Sequence, residues 1–316
     1  MKLVIQIPCF NEEKTLPVVL SSIPKKISGI SEIIITIIDD GSTDKTVEVA
    51  KKHGVTHIIS HRTNRGLARS FRDGIDYALE LGADIVVNTD GDNQYPQDRI
   101  TDLVQPIING SADIVIADRQ THLIEHFSWY KKLLQRFGSW IVNKAADTDL
   151  PDAASGFRAY SRESLMRLNI VTEFSYCMET IIQAGHKRMA ISHIKVKTNP
   201  KTRESRLFSN IWQHVFYSAS AIIRSYLMYK PNIIFVSLGT ILLILGIIPF
   251  VRYFYLLVSY TPGNHIQSLI LGVVLLSAAF LCFALAIIAD LIRINRILHE
   301  EQLEQQRRLR FSKQRK

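Results

Sequence analysis

The stretch ADIVVNTDGDNQYP (residues 83–96) decides the fold. Its first half is a short apolar run rich in β-branched residues, and it gives way at once to a polar turn carrying Asp90 and Asp92 one residue apart. An apolar run of that length, closed by a turn, predicts a strand buried on both faces, as in a parallel sheet. Two carboxylates that close disfavour one another's ionisation, so the pairing is costly unless a cation sits between them. The same pattern recurs along the chain. KLVIQI (2–7), EIIITIID (32–39), VTHIIS (55–60) and ADIVIAD (112–118) read as further strands, and segments such as RGLARSFRDGIDYALELG (65–82) place apolar residues at helical spacing. This alternation predicts an α/β domain built on a mostly parallel, Rossmann-like sheet with helices on its faces. Ligands of such sheets bind beyond the carboxyl ends of the strands. PCFNEE (8–13), DDGSTD (39–44) and NTDGDNQ (88–94) all fall at that edge.

The predicted crevice is acidic, with Glu12, Asp39, Asp40, Asp90 and Asp92 as its candidate groups. Such a crevice repels a phosphate unless a divalent cation mediates, and an all-oxygen donor set favours Mg²⁺ or Mn²⁺. No G-x-G-x-x-G and no lysine-bearing phosphate loop follows the first strand, which speaks against dinucleotide and P-loop chemistry. Cys9, Cys177 and Cys282 form no C-x-x-C pair and give no zinc pattern, consistent with a reducing compartment. His122 and His126 stand four apart but lack the glutamate of a metalloprotease helix. The net charge is +9, yet the basic excess gathers around the apolar C-terminal segments. Anionic lipid headgroups, and not nucleic acid, are the expected partner.

Those segments run without a charged residue from Ile233 to Val251 and again from Ile266 to Ala289. Each is long enough to cross a hydrocarbon core of about 30 Å as a helix, so a hairpin of two spans, 232–257 and 266–290, is predicted within residues 231–292. Arg293, Arg296, Arg307, Arg308, Arg310, Lys313, Arg315 and Lys316 follow the second span, which by the positive-inside bias puts both ends of the hairpin in the cytoplasm. The chain opens on the strand-like MKLVIQIP without a leader pattern, so the N-terminal domain is expected to stay on that side too. Ahead of the first span, Phe208, Ile211, Trp212, Val215, Phe216, Ala219, Ile222, Ile223 and Leu227 recur at spacings of three and four. They predict an amphipathic juxtamembrane helix over 206–230. The tail 293–316 reads as a basic cytoplasmic helix, frayed and solvated. Between the sheet and the membrane segments, HFSWYKKLLQRFGSWIVNKAA (126–146) and EFSYCMETIIQAG (173–185) read as helices, DAASGFRAYSRESL (152–165) as turn, strand and helix, and AISHIKVKT (190–198) as a strand.

PCFNEE, DDGSTDKT, NRGLARSFRDGI, DGDNQYP, DAASGFRAY and RESRLF resemble, in this order, the motifs of inverting family-two glycosyltransferases of the GT-A fold. The resemblance is nearest to the polyprenyl-phosphate hexose synthases, a class that includes dolichyl-phosphate mannose synthases and bacterial two-span polyprenyl-phosphate glucosyltransferases. It covers the chain to about residue 292. It implies a cytosolic GT-A domain over 1–205 that moves a hexose from a nucleotide-sugar to an undecaprenyl-type polyprenyl phosphate, supplying a lipid-linked sugar for cell-envelope glycosylation. A UDP-sugar is favoured as donor, with GDP-mannose the other candidate. Pro8, Asn11, Glu12, Asp39, Asp40, Asp90 and Gln94 then match nucleotide-binding positions, and Asp90 with Asp92 matches the D-x-D motif that reaches Mg²⁺ or Mn²⁺. Asp152 matches the catalytic carboxylate. Arg119, Arg136, Ser139, Arg203, Ser205 and Arg206 match positions that hold the acceptor or donor phosphate, with Arg206 standing where related chains often carry lysine. Resemblance to the two-span enzymes also implies a homo-oligomer, with a tetramer as the candidate. A processive polysaccharide synthase would carry Q-x-x-R-W, which QRFGSW (135–140) does not match, and a non-catalytic sugar-nucleotide sensor has no need of Asp90, Asp92 and Asp152 together.

Overall fold

The computed structural model of the chain describes residues 1–121, 129–171, 176–200, 231–259 and 266–312. The chain forms two compact units, Met1–Ile222 with Glu301–Lys316, and Ile223–Glu300. In the first unit, the strands are β1 (Lys2–Cys9), β2 (Glu32–Asp39), β3 (His57–Ser60), β4 (Ile85–Asn88), β5 (Ile114–Asp118), β6 (Arg158–Ser161) and β7 (Ile191–Lys195). They form one sheet in the order β3-β2-β1-β4-β6-β5-β7. β1 pairs in parallel with β2 and β4, and β5 pairs in parallel with β7. β6 runs antiparallel to both its neighbours, β4 and β5. The five strands expected from the first 120 residues are all present. The sheet is mostly parallel, and the reversed β6 brings the chain back so that residues 152–157 arrive at the carboxyl edge of β4.

Helices α1 (Leu16–Ser22), α2 (Thr46–Lys52), α3 (Leu67–Glu80), α4 (Ile100–Ile108), α5 (Trp129–Ala146), α6 (Arg162–Arg167) and α7 (Tyr176–His186) accompany the sheet. α3 shows why sequence and packing agree. Ala68, Phe71, Ile75, Ala78 and Leu79, spaced by three, four, three and one, are its buried apolar residues. Midway, Gly74 gives up about 1 kcal/mol of helix propensity. In return α3 lies directly on the sheet, since a Cβ at Gly74 would come within 2.9 Å of Ile38 Cδ1. The core between β1, β4 and α4 is aliphatic, with Leu3, Ile5, Ile7, Val87, Ile100, Leu103 and Val104 almost fully buried.

The second unit contains most of two long helices, α8 (Pro231–Val258) and α9 (Ile266–Ser312). Both are long and apolar enough to cross a membrane. Their apolar side chains are largely exposed, Phe280 at 73% and Val251 at 62%, which suits lipid better than water. Small residues let the two helices approach. A Cβ at Gly272 would meet Phe250 Cε2 at 2.7 Å, and one at Gly246 would meet Leu276 at 3.0 Å. The juxtamembrane segment 206–230 lies outside the described residues.

At about 1.5 Å per residue, the 47 residues of α9 extend roughly 70 Å, more than twice a hydrocarbon core. Its last turns belong to the first unit. There Arg307 pairs with Asp76 at 3.5 Å, Arg308 with Glu163, and Arg310 with Glu80. Arg162 donates to the Phe311 carbonyl at 3.2 Å, and the Phe311 ring is fully buried. Burial raises the Asp76 pKa even though Arg307 and Arg310 act to lower it. The expected frayed, solvated tail is therefore a docked helix through residue 312; a run of arginines reads as solvent-facing unless its acidic partners, distant in sequence, are known. Phe311→Ala should cost about 3 kcal/mol, the usual loss for emptying a buried phenylalanine site. Leu309→Ala, at a position 70% exposed, should change little. Thermal unfolding of the full chain in detergent, followed through the sheet domain, measures both.

Candidate active site

The parallel register brings the polar loops together. Cys9 pairs with Asp39 and Gln6 with Asn88, so β1, β2 and β4 end side by side, and Asn88 faces Arg158 at the start of β6. The first two loops interlock. Asn11 adopts a left-handed φ of 56°, its amide donates to Ser42 Oγ at 2.9 Å, and its side-chain oxygen accepts from the Thr43 amide at 2.8 Å. The buried Glu12 donates its amide to Thr46 Oγ1 and accepts from the Thr15 hydroxyl. Asp39 accepts from the Ser42 amide at 3.0 Å. Gly41, with φ of 78°, is required between them, because a Cβ there would stand 2.7 Å from the Thr63 carbonyl carbon. Pro8 is buried at the end of β1. Asp40 accepts from the amides of Arg65 and Gly66 and from His61 Nδ1, all within 2.9 Å, and so fixes the entry to α3.

The acidic pair sits above a second loop. A Cβ on Gly156 would lie 3.5 Å from both carboxylate oxygens of Asp90. Gly156 itself is held by three side chains: its amide donates to the Tyr95 hydroxyl at 3.1 Å, and its carbonyl accepts from Asn88 Nδ2 at 3.0 Å and from the Tyr176 hydroxyl at 3.2 Å. Tyr95 stacks on Phe157, and Tyr176 lies parallel to Phe71 with centroids 3.7 Å apart. Burial raises the pKa of Tyr95 and of Tyr176, so both phenols stay neutral hydrogen-bonding groups. On the other side of the pair, Asp92 Oδ1 accepts from the Gln94 amide at 3.1 Å.

Asp152, 2% exposed, is gripped by Arg119: Nε to Oδ2 at 2.6 Å and Nη2 to Oδ1 at 2.9 Å, with the Arg119 amide at 3.3 Å. Burial acts to raise the Asp152 pKa, but the Arg119 charge and hydrogen bonds, with the amides of Arg119 and Ala154, outweigh it and hold the carboxyl below its ordinary value. Burial would likewise lower the Arg119 pKa, and the Asp152 charge reverses this, so the guanidinium stays charged. One residue further, the Ala153 amide donates to the buried Ser139 Oγ on α5 at 3.2 Å. Arg136, three residues before Ser139, is exposed, as are Phe137 and Trp140, whose rings stack at 6.0 Å. The structure thus gathers Glu12, Asp39, Asp40, Asp90, Asp92, Gln94, Arg119, Ser139 and Asp152 along one sheet edge. Arg203, Ser205 and Arg206 lie outside the described residues.

Sequence reading missed the residues that hold the loops. Arg158 is fully buried, yet it makes no ion pair with a carboxylate among the described residues; it donates to the carbonyls of Ala153, Ser155 and Cys177 and to Thr180 Oγ1. Within GFRAY it reads only as a strand residue. Asn88 and Tyr95 flank the acidic pair and were visible as its neighbours, but their partner Gly156 is more than 60 residues away in sequence.

The sequence profile described as "Glycosyl transferase family 2" matches residues 4–168, more than half of the chain. The chain belongs to glycosyl transferase family 2. One similar family member is the UDP-N-acetylglucosamine–dolichyl-phosphate N-acetylglucosaminyltransferase of Methanococcus voltae, 30% identical over 213 residues that cover 61% of this chain and 83% of that protein. The polyprenol monophosphomannose synthase of Mycolicibacterium smegmatis is 24% identical over 182 residues, 55% of this chain and 67% of that one. Among solved structures, glucosyl-3-phosphoglycerate synthase from Mycobacterium tuberculosis, in complex with Mg²⁺ and uridine-diphosphate, superposes with a TM-score of 0.53 at 20% identity, covering 70% of this chain and 79% of that one. That likeness places the family domain in the GT-A fold.

Because removing one partner strands a buried charge, Asp152→Asn should destabilise the domain by about 3 kcal/mol at neutral pH. The Asp152 pKa is depressed on folding, so the stabilisation is complete above the ordinary carboxylate pKa of about 3.9 and is lost as pH falls through the lower folded value. Thermal melts should show a constant gap between wild type and Asp152→Asn from pH 6 to 8 that narrows toward acid.

Proposed function

We propose that this protein transfers a hexose from a UDP-sugar to an undecaprenyl-type polyprenyl phosphate at the cytoplasmic membrane face, inverting the anomeric centre. The observation that carries the reading is the convergence of the Asp90–Asp92 turn with the Arg119–Asp152 pair at one sheet edge, in a chain that also bears two span-length helices. Relatives whose names specify dolichyl phosphate and polyprenol as acceptors support the lipid, and the one named for UDP-N-acetylglucosamine supports the nucleotide. The excess of arginine after the second span supports a hairpin whose two ends lie on the cytoplasmic side.

A divalent cation fits the residues present. No group of three or more His, Cys, Asp or Glu poised for a metal occurs among the described residues. Mg²⁺ suits such a site, since it takes one or two carboxylates and completes its shell with substrate phosphates and water. Asp90 and Asp92 would hold Mg²⁺ or Mn²⁺, which when bound supplies Lewis-acid stabilisation of the departing diphosphate. Pro8, Asn11, Glu12, Asp39, Asp40 and Gln94 line the nucleotide side of this reading. Arg119, Arg136 and Ser139, with Arg203, Ser205 and Arg206 of the basic segment, serve the phosphates. The exposed Phe137 and Trp140 beside Arg136 match the chemistry of a headgroup layer.

In the transfer, a lipid phosphate oxygen forms the new bond to the anomeric carbon while the bond to the diphosphate oxygen breaks, and UDP leaves with the electron pair. The second pKa of a phosphate monoester is about 6, so the nucleophile arrives largely ionised. Asp152, held below the ordinary carboxylate range, is a poor proton acceptor at neutral pH. Its part is to position Arg119 for the acceptor phosphate. Purified full-length protein with polyprenyl phosphate, Mn²⁺ and radiolabelled UDP- and GDP-sugars should move label into the organic phase from a UDP donor. Chelation should abolish the transfer, and Asp92→Ala should lower it roughly 10²-fold or more. Folded protein that labels no lipid from any donor would overturn the reading.

A further inference from the structure

We propose that Asn199 is a positioning residue that sets the Asp92 turn for metal and diphosphate, and that it does so from the chain leading into the basic segment 201–206. The inference rests on the reading of Asp90 and Asp92 as metal ligands. Asn199 follows β7 and grips the turn twice: its amide donates to the Gln94 carbonyl at 3.0 Å, and its side-chain Nδ2 donates to the Asn93 carbonyl at 3.0 Å, with Asn93 Oδ1 at 3.4 Å. Asn93 needs that grip. Its φ is 61°, a left-handed conformation that non-glycine residues adopt at a cost and asparagine tolerates best.

The turn is closed from inside by Asp92 Oδ1, which accepts from the Gln94 amide. The carbonyls of Asn93 and Gln94 face Asn199, which donates to both. The backbone that aims the Asp92 carboxylate is fixed by a residue more than 100 positions later in the chain. Pro200 helps, because a residue before proline is held in extended backbone. Arg99 ties the same exit of β7 by donating to the Lys195 carbonyl at 3.3 Å.

The test is Mn²⁺ binding by electron paramagnetic resonance, on the full chain in detergent with UDP present, beside thermal melts. Asn199→Leu is close in size and neutral, and it removes only the side-chain donor protons, leaving the backbone amide bond to Gln94 in place. It should weaken Mn²⁺ binding about tenfold while the melting temperature stays within a degree or two of wild type. In Asn93→Gly/Asn199→Ala, glycine holds the positive φ without the side-chain half of the grip, so affinity should return toward wild type from the loss seen in Asn199→Ala alone. Wild-type Mn²⁺ affinity in Asn199→Leu, or a loss that appears only with a matching fall in melting temperature, would overturn the proposal. Lipid labelling by wild type is run in parallel: protein that binds Mn²⁺ with UDP but labels no polyprenyl phosphate would sink the acceptor proposed above and leave the role of Asn199 to be decided by the titration.

Discussion

A guanidinium taken wholly out of water organises this site. Burying an isolated charge costs several kcal/mol even after the protein relaxes. Arg158 meets that cost with hydrogen bonds to the Ala153, Ser155 and Cys177 carbonyls and the Thr180 hydroxyl, charge-assisted contacts worth about 1.5–3 kcal/mol each. The loop after Asp152 satisfies it in the shape the structure shows. That shape places Gly156 beneath Asp90, leaves its amide to Tyr95 and its carbonyl to Asn88 and Tyr176, and presents Asp152 to Arg119. The reversal of β6 is part of the same arrangement, since an antiparallel strand between β4 and β5 starts, not ends, at the edge where the parallel strands finish.

Asp90 and Asp92 bring carboxylates suited to a cation to this edge, and Arg119 brings a guanidinium whose charge is secured by Asp152. An acceptor that is itself an anion suits the proposed site. A hydroxyl acceptor needs a base of raised pKa to remove its proton, and Asp152 is shifted the other way. For the proposed phosphate acceptor, Arg119 is the fixed cation, its charge secured by Asp152.

Much of this was legible in the sequence, and the exceptions have physical causes. Apolar runs at 2–7, 32–39 and 83–90 announced strands because burial on both faces leaves no alternation, and Asp-Gly turns marked the carboxyl ends of the second and third. Strand direction was not legible: GFRAY has the same composition whether it runs up or down. The docking of Arg307, Arg308, Arg310 and Phe311 was hidden as well, since Asp76, Glu80 and Glu163 become their partners only through the fold. Asp40 illustrates a third case. Its place in DDGSTD was plain, but its grip on Arg65, Gly66 and His61 depends on the register of β2 with β3.

The central claim is a single displacement in which an anionic lipid phosphate attacks the sugar from the face opposite the departing diphosphate. The most direct measurement is the anomeric configuration of the lipid-linked sugar made by the purified chain from an α-linked UDP-sugar, read by proton and phosphorus NMR. A β-linked product is predicted. An α-linked product would require two displacements or a front-face mechanism, and would contradict the account.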